Sequence, residues 1–229
     1  MTALDANLNL LTEARSIELN DIKGTNNKAM KLFYSPSSPY ARKVRIFAIE
    51  KGLHGEIEEI AVSPFDVTPT SIELSSANPL LKIPTLILND GTAIYDSRVI
   101  CEYFDVVGDG SVLIPRNPED RIQCLTAAAM AEGIIDAAFN LVMELRRPIE
   151  NRSNMWIERW ASNIDRGLKT MGSHLTDGFD VRHITAICAI DYLNFRMPDR
   201  FLVPATVATW RSRHAACASI NETTPSELA

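Results

Sequence analysis

Hydrophobic and polar positions follow different patterns in the two halves of the chain, and the change falls near residue 109. From Met30 the pattern predicts a short apolar strand (MKLFYS), an amphipathic helix (PYARKVRIFAIEKGL) and a second strand (GEIEEIAV). A crossover of this kind favours parallel pairing of its two strands. The basic residues of the helix are expected to lie largely off its apolar face: Arg42, Lys43 and Arg45.

Two more strand-like runs, IPTLILND and TAIYDS, are separated by Asp90-Gly91, a strong hairpin signal. The run SRVICEYFDVV then predicts a helix in which Ser97 is placed as the N-cap. The order of elements, βαβαββα, predicts a small four-stranded mixed sheet with helices on its faces. We therefore expect an α/β domain at residues 30–108.

The strand signal stops after the link GDGSVLIPRNPED, and residues 109–229 are expected to form an all-helical domain. Apolar residues recur at helical spacing in a long segment that Pro148 ends. Trp156 and Trp160 share one helical face, where they serve core packing or reach an interface. The predicted helices span about 121–146, 154–175, 183–195 and 204–219.

Composition excludes some classes of binding partner without identifying a particular one. Lys and Arg total 23 against 29 Asp and Glu, and this net charge of -6 carries no electrostatic signature of nucleic-acid or anionic-membrane binding. The four cysteines are widely spaced, with no CxxC and no histidine at a metal-ligand spacing, so we expect reduced thiols and no metal site. A small-molecule partner and a cytoplasmic location are expected.

Residues 1–29 are polar and rich in Asn, with neither a basic n-region nor an apolar h-region, so they are not expected to act as a secretory signal. We expect a poorly ordered N-terminal extension there, which a start upstream of the true Met30 would explain, and the alternative is a tail or docking arm. No stretch of the sequence approaches the roughly 18 consecutive apolar residues that a membrane span needs, so none is predicted.

The stretch SPSSPYARKVR places Ser37 and Ser38 where the first strand hands over to the first helix. Pro39 suits the first helical position, and the free N–H groups of a helix N-terminus favour an anion there. A serine hydroxyl at that place can donate a hydrogen bond to a bound thiolate. The alternative is that Ser38 is simply the N-cap of the helix.

The stretch NPLLKIPTL opens a strand with Ile83-Pro84. A cis bond there would turn the N–H and C=O of Ile83 toward an extended ligand, although a trans bond is far commoner before proline. Lys82 can meet a ligand carboxylate or stay solvated. In YDSRVICEY, Asp96 can pair with an ammonium group and Ser97 with a carboxylate at the helix N-terminus, or the pair is a plain helix start.

Together, SPSSPYARKVR, NPLLKIPTL and YDSRVICEYFD, followed by an all-helical second half, resemble the cytosolic glutathione S-transferase superfamily, in particular its bacterial serine-type members. The resemblance covers about residues 30–219 and implies a thioredoxin-like first domain followed by the helical one. It also implies a homodimer, with glutathione as co-substrate and no metal.

Carried over residue by residue, the resemblance implies that Ser38, or next to it Ser37, faces the glutathione sulfur. Ile83, before a cis Pro84, would bond the cysteinyl backbone. Asp96 and Ser97 would bind the γ-glutamyl end, and Lys82 would bind the glycyl carboxylate.

The expected activity is attack of the glutathione thiolate on a small electrophile, as in detoxification, and the sequence does not name that electrophile. The electrophile would lie between the first domain and the long helix from Arg121 to Arg146. The alternative function is a non-catalytic, glutathione transferase-like binding or regulatory module.

One departure from the family pattern concerns the core helix of the second domain. In GFDVRHITAICAIDY, Asp180 can cap the helix, but His183 stands where an acid would complete a capping box. Local helix stability is therefore in doubt. His183 itself is expected to be a packed or surface residue.

Overall fold

The computed structural model describes residues 30–63 and 65–228. The expectation for residues 1–29 lies outside the described residues. The strands are β1 (Met30–Tyr34), β2 (Ile57–Ala61), β3 (Thr85–Ile87) and β4 (Ala93–Ile94). The helices are α1 (Pro39–Glu50), α2 (Pro69–Ala77), α3 (Ser97–Val107), α4 (Pro118–Arg146), α5 (Asn154–Met171), α6 (Val181–Arg196), α7 (Ala205–Arg213) and α8 (Ala218–Glu222).

The four strands form one mixed sheet in the order β2-β1-β3-β4. β1 pairs in parallel with β2 and antiparallel with β3, and β3 pairs antiparallel with β4. The predicted βαβαββα order followed by an all-helical region is therefore confirmed. Gly91, with a φ of +88°, closes the tight turn between β3 and β4 where the Asp90-Gly91 pair predicts a hairpin.

Successive side chains of β1 point to opposite faces of the sheet and so enter two cores. Leu32 joins the main core, which runs through α1 and α3 into α4, α5 and α6. Phe33 packs on the other face with Val62 and Leu74, beneath α2. The main core thus joins the α/β layer to the helices without a break.

α4 is long and apolar enough to cross a membrane by length and composition alone, and within its most apolar window 56% of the residues are buried in this fold. Its apolar side chains pack in the main core, together with those of α5 and α6. Burial of this kind is what a core helix shows, and it accounts for the apolar composition of α4.

Two of the three basic residues of α1 are enclosed by the helical half of the chain, which the sequence pattern does not predict. Arg42 and Lys43 are buried, and each meets an acid from the helical half. Nη1 of Arg42 donates to Asp191 on α6 at 2.7 Å, and Nζ of Lys43 donates to Glu132 on α4. Because α1 lies between the sheet and these helices, its polar side also faces protein, which periodicity within one helix does not reveal.

The last predicted helix is two helices, α7 and α8, separated by residues 214–217. The turn has a tertiary cause, because it brings Ser219 and Ile220 against side chains of α1. The hydroxyl of Ser219 donates to Glu50 at 2.5 Å, and the carbonyl of Ile220 accepts from Arg42 at 3.2 Å.

The doubt about the start of α6 is also wrong. Asp180 accepts from the N–H of Arg182 at 2.9 Å, and its own N–H donates to Nδ1 of His183 at 3.1 Å. The imidazole therefore completes the capping box in place of an acid. His183 is fully buried, as a packed residue, and its ring stacks on Trp210 with centroids 5.6 Å apart.

Candidate functional site

A cleft of about 890 Å³ lies between the carboxyl ends of the central strands and the helices of the second half. Three separated loops form one wall: the β1–α1 turn, the segment before β3 and the turn before α3. α4, α6 and the segment after α8 form the other wall. All the residues singled out from sequence line this cleft: Ser37, Ser38, Lys82, Ile83, Pro84, Asp96 and Ser97.

Ser38 is the N-cap of α1, and its side-chain oxygen accepts from the N–H of Ala41 at 3.2 Å. A hydroxyl has one donor hydrogen besides its acceptor lone pairs, so capping leaves the O–H of Ser38 free to donate. Ser37 differs, because its hydroxyl lies 3.1 Å from that of Ser35 and shares a hydrogen bond with it. Both the capping and the donor interpretations of Ser38 are therefore compatible with its geometry.

The Ile83-Pro84 bond is cis, as the resemblance implies. Among the described residues, neither the N–H nor the C=O of Ile83 has a hydrogen-bond partner. Both groups are thus available to a ligand in the cleft. Lys82 is exposed at the rim of the same turn, and its carbonyl accepts from Thr85 at 2.8 Å.

Asn78 holds this turn in place and was missed by the sequence reasoning. It is buried, and its amide nitrogen donates to the carbonyl of Lys82 at 3.1 Å and to the hydroxyl of Thr85 at 2.9 Å. Its side-chain oxygen accepts from the N–H of Leu80 at 3.0 Å. An Asn immediately before Pro79 is a turn-initiating pair, and this signal could have identified it.

At the start of α3 the N-cap is Asp96, so the expectation of Ser97 as the cap is wrong. The Asp96 carboxylate accepts from the N–H of Arg98 at 2.9 Å and is exposed to the cleft. Ser97 is the first helical residue and is buried, and its hydroxyl bonds to none of the described side chains or backbone groups. Asp96 is the better cap because its carboxylate accepts while it interacts favourably with the helix dipole.

A further hydroxyl on the first wall, that of Tyr40 in α1, donates to Asp136 of α4 on the opposite wall. Burial and the neighbouring Asp136 carboxylate together raise the pKa of Tyr40 far above its ordinary value. The phenol therefore stays protonated and engaged with Asp136. This leaves the serines as the hydroxyls with donor capacity beside the helix N-terminus.

Behind this wall lies a buried ion cluster that ties the two halves of the chain together. Glu132 of α4 accepts from Lys43 of α1 through one carboxylate oxygen and from Arg98 of α3 through the other. α1 and α3 begin at the two N-termini that face the cleft. The cluster thus fixes both helix ends against α4.

The cysteines do not supply a nucleophile to the cleft. Burial raises the pKa of Cys101 to about 12 and that of Cys188 to about 11, so both stay as thiols near neutral pH. Within residues 30–63 and 65–228, no group of three or more His, Cys, Asp or Glu is arranged to hold a metal ion.

Comparison with known proteins shows which families and structures the chain is similar to. Residues 37–107 match the family model "Glutathione S-transferase, N-terminal domain". The chain is 32% identical over 173 residues to the uncharacterized GST-like protein YibF of Escherichia coli K12, covering 73% of this chain and 83% of that protein. It is also 34% identical over 95 residues to a stringent starvation protein A homolog of Coxiella burnetii, covering 42% of this chain and 43% of that one.

Among solved structures, a glutathione transferase family member from Pseudomonas fluorescens Pf-5 was determined with bound glutathione. It shares 35% sequence identity and a TM-score of 0.79 with this chain, covering 86% of this chain and 100% of that one.

Proposed function

Because the chain belongs to the glutathione S-transferase superfamily, we propose that it is a glutathione transferase that stabilises the glutathione thiolate for attack on a small electrophile. The observation that carries the proposal is the convergence of three distant segments on one cleft. Donors and acceptors of three kinds meet there: a hydroxyl at a helix N-terminus, a free backbone pair and a carboxylate beside a serine.

In the proposed complex each part of glutathione meets the group that suits its chemistry. The sulfur faces the O–H of Ser38, and the cysteinyl backbone pairs with the free N–H and C=O of Ile83. Asp96 takes the ammonium group of the γ-glutamyl end and Ser97 its carboxylate. Lys82, at the exposed rim, takes the glycyl carboxylate.

The proposed reaction needs only a moderate lowering of the thiol pKa. A free cysteine thiol has a pKa of about 8.5, so most of it is protonated near neutral pH, and each unit of lowering takes about 1.4 kcal/mol. A hydrogen bond to a charged group stabilises by about 1.5–3 kcal/mol. The O–H of Ser38 and the N-terminus of α1 are together sufficient for a lowering of about one to two units.

Serine at position 38 favours conjugation over thiol exchange. A cysteine there would form a mixed disulfide with glutathione, whereas a hydroxyl cannot. We therefore assign the chain to the serine-type members and expect addition or substitution at carbon. Four further parts belong to the proposal. A homodimer and a detoxifying role come from the family resemblance, whereas a cytoplasmic location and a division between residues 30–108 and 109–229 come from the sequence patterns.

Retention on immobilised glutathione, followed by conjugation of glutathione to a generic aryl halide, tests the proposal. We expect the protein to elute with free glutathione and to accelerate the conjugation above the uncatalysed rate. No binding of glutathione at millimolar concentration would refute the proposal.

A second candidate is a non-catalytic module that uses the same scaffold for binding or regulation, and it is kept because the chain is also similar to a protein named as a stringent starvation protein A homolog and not as a transferase. That similarity covers less than half of this chain. The two candidates separate on turnover, because a module of this kind would show no conjugation with any electrophile, whether or not glutathione binds.

A further inference from the structure

Two arginines stand on the helical wall of the cleft, opposite the proposed glutathione site. Arg146 is the last residue of α4 and Arg196 the last residue of α6, and both line the cleft. The carbonyl groups at the end of a helix favour a cation, so both helix ends support a positive charge there. Tyr192 stands one turn before Arg196 on α6, and its burial raises its pKa. A side-chain hydrogen bond with Arg196 and the positive charges of Arg196 and Arg146 partly offset that rise.

The hydrogen bonds of these arginines leave much of their donor capacity unused. The side chain of Arg146 is exposed and makes no hydrogen bond or ion pair with any residue that the structure describes. Arg196 has a side chain only 13% exposed, and its Nη1 donates to Glu227 at 2.5 Å. Its buried Nε has no hydrogen-bond partner among residues 30–63 and 65–228.

Glu227 is a weakly held partner for Arg196. It lies in the segment after α8, its side chain is 69% exposed, and an exposed ion pair contributes little to stability. The same segment is joined to the β1–α1 turn by a long hydrogen bond, from the N–H of Ser226 to the carbonyl of Pro36 at 3.4 Å. A carboxylate is therefore already seated at this end of the cleft, by contacts that a ligand can replace.

The other acid that lines the cleft from the helical wall, Asp136, makes no ion pair with either arginine among the described residues, and its hydrogen bond comes from the hydroxyl of Tyr40. A guanidinium presents a planar fork of donors that matches a carboxylate in two parallel hydrogen bonds. A neutral electrophile would gain nothing from such a group, whereas one with a carboxylate would be both bound and oriented.

We propose that the helical wall selects electrophiles that carry a carboxylate, which Arg146 and Arg196 hold after the side chain of Glu227 moves aside. This inference rests on the proposed glutathione transfer. In the reaction the sulfur forms a bond to the electrophilic carbon, the leaving group departs with its bonding electron pair, and the thiol proton goes to solvent. The carboxylate of the electrophile is unchanged and serves only for recognition.

Glutathione also carries carboxylates, so the experiment must tell the two sources apart. The probes are the para and meta isomers of (chloromethyl)benzoate, each paired with its neutral methyl ester. Thiolate attack displaces chloride from all four compounds, and the two isomers sample the reach to the arginines. The values of kcat/KM are measured for the wild type, R146Q, R196Q and E227Q, and glutathione affinity is measured separately by calorimetry.

R159Q is the matched control, since Arg159 is an exposed arginine on α5 that does not line the cleft. We expect R146Q and R196Q each to lower kcat/KM for at least one benzoate isomer about tenfold, the effect of losing one good charged contact, while the esters change less than about twofold. E227Q should raise kcat/KM for that benzoate about threefold, and R159Q should leave kcat/KM unchanged for both the benzoates and the esters.

An unchanged benzoate-to-ester ratio in both R146Q and R196Q would overturn the inference. The inference would also be overturned if R146Q and R196Q lowered kcat/KM equally for benzoate and ester and also weakened glutathione binding, because the arginines would then hold glutathione itself. If glutathione binds but nothing is turned over, the affinities of the ready-made carboxybenzyl conjugate and its methyl ester give the same comparison. If glutathione does not bind, the proposed function fails and this inference fails with it.

Discussion

Ser38 gives the most direct test of the proposed chemistry, because one side chain is assigned both to capping and to the thiolate. Replacing it by Ala removes the oxygen that accepts from Ala41 at 3.2 Å. It also removes the O–H assigned to the sulfur. Loss of an N-cap costs about 0.5–2 kcal/mol of stability, and loss of a hydrogen bond to a charged group costs about 1.5–3 kcal/mol.

The second loss converts into a pKa change of the bound thiol. At about 1.4 kcal/mol for each unit, S38A should raise the pKa of enzyme-bound glutathione by about one to two units. Because the thiolate is the nucleophile, conjugation should fall about 10-fold to 100-fold at pH values below the wild-type pKa. The difference should shrink as the pH rises through the raised pKa of the variant, where both proteins hold thiolate.

Ultraviolet titration of the bound thiolate and a pH profile of kcat measure this change. S38D is an informative companion, since Asp also caps a helix well but repels a thiolate, so it should keep the melting temperature and lose the low pKa. S37A is the matched control and should alter the thiol pKa by less than half a unit, about 0.7 kcal/mol.

A thiol pKa unchanged in S38A, with only the melting temperature lowered, would show that Ser38 is a cap and nothing more. A large rise in S37A alone would move the role to Ser37.

The remaining predictions concern the framework of the site. Lys43 and Glu132 form an ion pair whose side chains are only 2% and 7% exposed, and E132Q removes the negative charge of that pair. Urea unfolding should therefore show a free energy of unfolding lower by about 3–5 kcal/mol. E102Q breaks the exposed Arg121 pair instead and should cost less than about 1 kcal/mol; equal losses in the two variants would contradict the argument. N78A should weaken glutathione binding by about tenfold in calorimetry, because the turn that presents Ile83 loses three hydrogen bonds. S75A, which removes an exposed hydroxyl from α2, should leave that affinity unchanged, and an unaffected N78A would remove Asn78 from the site.

Much of the fold was predictable because it depends on local patterns. The hairpin at Asp90-Gly91 and the stop at Pro148 follow from backbone preferences that act within a few residues. The break between α7 and α8 was not predictable in this way. No Gly or Pro marks it, and its cause is the contact of Ser219 and Ile220 with the side chains of Glu50 and Arg42 on the distant helix α1.

The candidate site shows the same division. The resemblance identified Ser38, Ile83 and Asp96, and the structure brings them to one cleft. The residues that support them were missed, since their roles depend on partners far away in sequence. Tyr40 meets Asp136, and Asn78 acts through the carbonyl of Lys82.

The sequence by itself determined the order of strands and helices, the helix N-terminus at the serines and the turn before Pro84, because each depends on neighbours along the chain. Only the tertiary structure decided which polar residues are buried and with whom. The sequence pattern places Arg42 and Lys43 largely off the apolar face of α1, but it does not show that Asp191 of α6 and Glu132 of α4 pair with them in the interior. The physical reason is that the free energy of a buried charge depends on its partner, and a partner about 90–150 residues away leaves no local pattern.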